Sequence, residues 1–182
     1  MADLKNLNLK ALSSYREKLK ELKVWAQVKS PKRFQSALSY TLGWLAPELL
    51  GTGFRMTEVS DFAIKGFVPA QQVNFDSDKE ISQGLTLNGC LELARTYINR
   101  HLPETYYRII SSEIKIVKQQ SWSKDITLLL TMTEGRLDQF FIDLQAKKNA
   151  MLELSIQVEI QNSKKADRID LKLICEATHV LA

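Results

Sequence analysis

Residues 83–101 read QGLTLNGCLELARTYINRH, and the fold turns on this stretch. Leu87, Cys90, Leu91, Ala94, Tyr97, Ile98 and His101 recur at three- and four-residue steps, which predicts one helix with a continuous apolar stripe. Leu85 and Leu93 widen the stripe, so the helix is expected to be covered on most sides. Thr86 suits the N-cap, since its hydroxyl can accept from the free N–H of Asn88 or Gly89. That choice sets the helix at about 86–101 and puts Gly89 in its first turn. A glycine in a helix costs roughly 1 kcal/mol relative to alanine, so Gly89 asks for a reason. Either a second backbone packs too closely for a Cβ, or the helix N-terminus receives a carbonyl or oxyanion, where unpaired N–H groups and the dipole favour negative charge.

On either side of this helix the period changes to two. Phe54 and Met56 lead to Ser60-Asp61, after which Phe62, Ile64, Gly66 and Val68 alternate with Ala63, Lys65 and Phe67. Two antiparallel strands joined by a tight turn are predicted. Residues 71–83 are polar and aperiodic, a loop that feeds the helix. Downstream, Ile110, Ser112, Ile114 and Ile116 form one face of a strand near residues 107–118, and Ile126, Leu128, Leu130 and Met132 form one face of the next. Residues 134–149 read as a helix with Leu137, Phe140, Phe141 and Leu144 on one side and Asn149 as C-cap. Leu152, Leu154, Ile156, Val158 and Ile160 then alternate strictly with polar residues, and Ile169, Leu171, Leu173 and Cys175 line the last strand. Six one-sided strands need a common apolar object to cover. The 83–101 helix is the candidate, and an α+β fold with a curved antiparallel sheet around it satisfies both patterns.

Ahead of all this, residues 4–28 carry Leu12, Tyr15, Leu19, Leu22 and Ala26 at helical spacing, and Ser30-Pro31 starts a second helix. The chain is therefore divided into an N-terminal helical extension, 1–52, and a main domain, 53–182. Its 182 residues carry a net charge of +4, unevenly placed. Residues 1–33 hold nine basic side chains against three acids, a local +6 that leaves −2 for the remainder. A lysine-rich amphipathic helix can cover a partner subunit or lie on anionic lipid, so peripheral membrane contact is one expectation. Basic charge confined to one segment, without a nucleic-acid motif, argues against nucleic acid as the partner. No apolar run is long enough to span a bilayer and no signal-peptide core is seen. Cys90 and Cys175 stand alone among apolar residues, as reduced thiols of a cytoplasmic protein would. With two histidines, His101 and His179, no metal cluster is predicted.

The arrangement resembles the hot-dog fold of the thioesterase-like superfamily, over about residues 53–182. The segment LGWLAPELLGTGFRMTEVSDFAIKGFVP, ending at Pro69, is similar to the first part of a poorly characterised branch with helices before the first strand and a helical insert between late strands, here EGRLDQFFIDLQAKKN. The resemblance implies an acyl thioester of coenzyme A or acyl carrier protein as ligand. It also implies a homodimer or homotetramer, and a site at a dimer interface near the N-terminus of the central helix. No separate cofactor is implied, since coenzyme A is part of the substrate. Many thioesterases of this fold begin the helix with His-Gly-Gly and place an acid about two turns later. Set on the expected start, these positions read Leu87-Asn88-Gly89 and Thr96, so only Gly89 carries over. Thioester hydrolysis stands beside two alternatives: a non-catalytic acyl-ligand-binding or assembly protein, and a docking module that uses the basic N-terminal helix.

Glu92 lies one turn from both Gly89 and Thr96, so the three share a helix face. A carboxylate there can activate water against a carbonyl held by the Asn88 and Gly89 amides. Against this, Glu92 is three residues before Arg95 and would pair with it on a solvated face. Asn88 can donate to a thioester oxygen or a pantetheine amide, or be a polar first-turn residue. Lys115 and Lys118, with Lys124, are candidates for coenzyme A phosphates, or ordinary surface lysines. Ser111 and Ser112 interrupt an apolar strand and could face a pocket. Cys175 and His179 share strand parity, but no third group orients them as a nucleophilic pair.

Overall fold

A computed structural model describes residues 49–60, 62–102, 106–131 and 134–178. The expected N-terminal helices and His179 lie outside them. Strands β1 (Arg55–Val59) and β2 (Ala63–Val68) come first, followed by a short 3-10 turn at Gln72–Asn74 and helix α1 (Gln83–His101). Strands β3 (Tyr107–Val117) and β4 (Ile126–Thr131), helix α2 (Glu134–Lys147), and strands β5 (Asn149–Ile160) and β6 (Ala166–Ala177) complete the order. The six strands form one sheet in the order β1-β2-β4-β5-β6-β3, every neighbouring pair antiparallel.

One face of this sheet is the core. Along β5 burial alternates without exception, with Leu152, Leu154, Ile156, Val158 and Ile160 inside. Their partners on β4 and β6 include Leu128, Ile169, Leu171 and Leu173, all buried. Each such side chain contributes about 1.5–3 kcal/mol by leaving water, which fixes the register, since a one-residue slip would turn the whole row outward. Helix α1 packs against β2 and β4, and α2 packs against β5 and β6 through Leu137, Phe140 and Leu144. The other face of β5 is exposed, so both helices share one side of the sheet.

The contact between α1 and β2 is set by two glycines and one ring. A Cβ on Gly66 of β2 would meet Leu93 Cδ1 at 2.8 Å and Phe54 Cε2 at 2.9 Å. A Cβ on Gly89 of α1 would meet Leu128 Cδ1 at 3.0 Å and Phe54 Cε2 at 3.1 Å. The Phe54 ring thus sits against both backbones. Close packing, the plainer of the two readings, is the observed environment of Gly89.

Several local expectations are corrected. Helix α1 begins at Gln83, with Ser82 at the N-cap position. Thr86 is not a cap: its hydroxyl donates to the Ser82 carbonyl at 3.0 Å, and its own N–H makes the first bond of the helical ladder to the same oxygen. Leu93 is fully buried while His101 is exposed, so the apolar stripe is rotated from its expected centre toward Leu93. The end of α2 is formed by Lys148, whose φ of 60° is left-handed, and Asn149 already belongs to β5. On β3 a register shift between Ile109 and Ser111 breaks the expected face. Ile109 lies opposite the buried Cys175, and Ile110, in the bulge, is 49% exposed.

Candidate functional site

Helix α1 presents two different sides. Leu93, Tyr97 and Ile98 are fully buried, and the Leu93 side chain lies against Gly66 of the sheet. The flank carrying Asn88, Leu91, Arg95 and Asn99 is only half-buried. Glu92 and Thr96 lie where the two sides meet, one turn apart. Glu92 is 4% exposed, so it does not occupy a solvated face. Arg95 is its partner at i+3, at 3.8 Å between Nη1 and Oε2, with the guanidinium 40% exposed. Thr96 is fully buried and its hydroxyl has no hydrogen-bond partner. Leaving a buried hydroxyl unpaired costs about 1–3 kcal/mol. Asn99 accepts from the Tyr107 hydroxyl at 2.6 Å, which ties the end of α1 to the start of β3. Acid, amide and hydroxyl groups therefore follow one another down one edge of the helix.

The helix start changes which amides are unpaired. The ladder opens with Thr86 N–H to Ser82 O, so the N–H groups of Asn88 and Gly89 fall inside it and only those of Gln83, Gly84 and Leu85 precede it. Gly84 is exposed, and a Cβ there would meet nothing nearer than Ser82 Oγ at 3.6 Å. Packing accounts for Gly89 and leaves Gly84 as the glycine at the open end. The sequence signal was present in the Ser82-Gln83-Gly84 run, and the stronger-looking cap at Thr86 concealed it.

The loop before α1 is anchored by groups from distant strands. Ser82 N–H donates to Asn74 O at 2.8 Å, and Ile81 N–H donates to Trp122 O at 2.8 Å. Asn74 is buried, its side-chain amide donating to Thr52 O at 2.8 Å and Pro69 O at 2.7 Å. Trp122 is fully buried, and its indole N–H donates to Asp167 at 2.7 Å. Asp167 also accepts from Gln119 N–H at 3.0 Å. Sequence reading missed this buried carboxylate, because an Asp at the start of a strand looks like part of a turn. Lys118 pairs with Glu80 in this loop and lies 5.0 Å from the centre of the Trp122 ring. The Lys118 ammonium, then the Ser121 hydroxyl and the Trp122 backbone N–H, hold the Glu80 carboxyl below its usual range.

Lys115 and Lys118 do not form one clamp. Lys118 is occupied by Glu80, whereas Lys115 is exposed on β3 opposite Asp170. An open cleft of about 440 Å³ gathers Lys115, Lys172 and Arg136 with the acids Glu113, Glu153 and Asp170. Arg136, supplied by α2, was not anticipated. Ser111 and Ser112 are exposed on the same strand. Burial pushes the Cys90 thiol up to about 12 and that of Cys175 up to about 11, which leaves both unreactive. No cluster of three or more metal-binding side chains is present among the described residues, and none of their helices is long and apolar enough to cross a membrane.

Solved structures share this arrangement. The chain is similar to a protein of unknown function from Pseudomonas aeruginosa described as a probable thioesterase, with a TM-score of 0.64 and 10% identity over 78% of this chain and 95% of that one. The fold is that of the hot-dog thioesterases. Thioesterase superfamily member 2 from Mus musculus matches with a TM-score of 0.56 and 9% identity, over 82% of this chain and 97% of that one. A thioesterase from Haemophilus influenzae matches with a TM-score of 0.56 and 10% identity, over 84% and 93%. No family model matches the sequence, and no match is found among curated proteins. At these identities the likeness is one of fold.

Proposed function

We propose that this chain binds an acyl thioester of coenzyme A or acyl carrier protein along the half-open flank of α1 and hydrolyses it. The observation that carries the reading is the buried Glu92 carboxylate one turn from the unpartnered Thr96 hydroxyl, at the edge of the helix that the sheet covers. In the proposed step Glu92 takes a proton from water as the water oxygen bonds to the thioester carbonyl carbon. The carbon–sulfur bond then breaks, and the thiolate leaves and gains a proton. General-base assistance of this type contributes about 10²–10⁴-fold. The developing oxyanion would be met by the amides that precede the helical ladder, at Gln83, Gly84 and Leu85, in place of those first expected at Asn88 and Gly89. Gly89 then serves by packing, and the Asn88 side chain remains a donor for the thioester or a pantetheine amide.

Eight residues separate Gly84 from Glu92, roughly 12 Å of helix. The reading therefore draws the amides and the carboxylate that serve one carbonyl from two copies of the chain, in a homodimer or larger homo-oligomer. Lys115, with Arg136, is the proposed contact for coenzyme A phosphates. Lys118 could join only by leaving Glu80.

Release of free thiol from a panel of acyl-coenzyme A esters tests the reading. Glu92→Gln is expected to lower turnover about 100-fold or more, and Thr96→Val to lower it less. Wild-type protein that neither hydrolyses nor binds any ester would end it. A second reading, a non-catalytic acyl-binding protein, is favoured by one observation: the only histidine among the described residues, His101, lies at the far end of α1. Thermal stabilisation by esters without turnover would decide for it.

A further inference from the structure

The inward row of β6 runs Asp167, Ile169, Leu171, Leu173 and Cys175, all buried, and only its first member is charged. A carboxylate taken out of water costs stability unless hydrogen bonds satisfy it, so Asp167 asks for a reason. Two N–H groups converge on it: Trp122 Nε1 on one oxygen at 2.7 Å and Gln119 N on the other at 3.0 Å. An apolar side chain would fill the row as well, but it would not fix the rotation of the Trp122 indole. The Trp122 backbone in turn holds the loop ahead of α1 by both of its polar groups. Its carbonyl accepts the Ile81 N–H at 2.8 Å, and its N–H serves the Glu80 carboxylate. One residue on, the Ser82 N–H goes to Asn74 O, and the Asn74 amide grips Thr52 O and Pro69 O.

We infer that Asp167 is a positioning residue for the leading end of α1: through Trp122 it fixes where the unpaired amides of Gln83, Gly84 and Leu85 stand. The two residues just before those amides, Ile81 and Ser82, are tied to opposite sides of the sheet. Pro69 follows β2, Asp167 belongs to β6, and β4 and β5 lie between those strands. That is three strand spacings, about 14 Å, so the helix end is stayed from both sides against sliding and rotation. The route on the β6 side is Asp167 to the indole, Trp122 O to Ile81, and Ser82 O to the first helical bond at Thr86. The Lys118–Glu80 ion pair adds little to this brace, because both side chains are about a quarter exposed. What these amides do rests on the acyl-thioester reading above; where they stand rests on the brace alone. For a donor that meets charge only in the transition state, misplacement lowers kcat and kcat/KM together.

Amide hydrogen exchange of the full chain, followed by mass spectrometry on its peptides, tests the brace without catalysis. Trp122→Phe keeps a ring and removes its N–H, and Asp167→Asn presents one acceptor where two N–H groups converge. Each should speed exchange over residues 81–86 about tenfold or more, beyond any change in the central strand β4. The double variant should do no more than the stronger single one, since both cut the same link. Lys118→Met should speed exchange there about fivefold or less. Uniform acceleration over the whole sheet would reduce Asp167 to a stabiliser of the fold and overturn the inference. So would additive effects, or a Lys118→Met protein as loose there as Trp122→Phe. If neither variant folds, the wild-type Trp122 indole proton decides by NMR: it should exchange no faster than the Ile81 amide, and rapid loss would overturn the brace. With an acyl-coenzyme A ester that is turned over, Trp122→Phe should lower kcat about tenfold or more while KM changes less than about twofold. Faster exchange with kcat unchanged would overturn the positioning role. Wild-type protein without turnover ends the functional reading and leaves the exchange result standing. Turnover by wild type, with exchange unmoved in the variants, does the reverse.

Discussion

Gly66→Ala probes the contact on which the position of α1 depends. The new methyl would lie 2.8 Å from Leu93 Cδ1, 2.9 Å from Phe54 Cε2 and 3.0 Å from Phe54 Cζ. All are well inside ordinary carbon–carbon contact of about 3.5–4.0 Å. The Leu93 methyl is the end of a flexible side chain, but Leu93 is fully buried, and the Phe54 ring also lies against Gly89. Overpacking of this kind costs about 1–3 kcal/mol, while alanine recovers about 0.5–1 kcal/mol of glycine's backbone cost. The expected net loss is about 1–2 kcal/mol, a fall in Tm of about 2–8 °C for a chain of this size. At Gly89 the contacts are looser, 3.0 Å to Leu128 Cδ1 and 3.1 Å to the ring, and alanine gains about 1 kcal/mol in a helix. Gly89→Ala should therefore be nearly neutral, and clearly milder than Gly66→Ala. Urea denaturation of both variants, with and without Phe54→Leu, measures the difference and the coupling. Phe54→Leu should relieve part of the Gly66→Ala cost. A Gly66→Ala protein at least as stable as wild type would show that helix, ring and strand do not meet as described.

Asp167→Asn should cost about 1–3 kcal/mol by weakening the hydrogen bonds to the Trp122 indole and the Gln119 amide, seen as a lower urea midpoint. An unchanged midpoint would refute that role. Cys90 and Cys175 should resist a thiol reagent at pH 8 until denaturant is added, because burial raises both thiols to about 12 and about 11. Fast native labelling of either would contradict their burial. Glu80 lies below its ordinary value of 4.5 in the folded chain, so its pairing stabilises above that pH and is lost as the pH falls through the lowered value. The pair is about a quarter exposed, so Glu80→Gln should remove at most about 1 kcal/mol at neutral pH and flatten the stability profile below pH 4.5.

Strand faces were legible wherever one face is dry and the other wet. In β5 and β6 the period of two assigns Leu152 through Ile160 and Ile169 through Cys175 to the core, as found. The same reasoning misplaced part of β3, because a bulge inserts one residue at Ile110 and reverses the parity beyond it. No local pattern marks such an insertion. The start of α1 was misread since a threonine hydroxyl suits a cap and an interior turn equally well, and the choice depended on Asn74 receiving the Ser82 amide from eight residues upstream. Glu92 and Thr96 could be named as a pair from helical spacing. Their burial could not, because it depends on what covers the helix there.

The amino-acid order by itself determined the periods: a helix at about residues 86–101, the inward faces of β2, β4, β5 and β6, and a carboxylate one turn from a hydroxyl. Those are consequences of neighbouring residues obeying fixed rises and rotations, so a short window suffices. The tertiary structure alone decided which of two glycines is pressed by a ring and which is open, that Asp167 lies buried beneath Trp122, and that Lys118 is claimed by Glu80 while Lys115 stands free at an edge. Each of these depends on groups tens of residues apart meeting within a few ångströms, and chain order carries no distance of that kind until the sheet has closed over the helix.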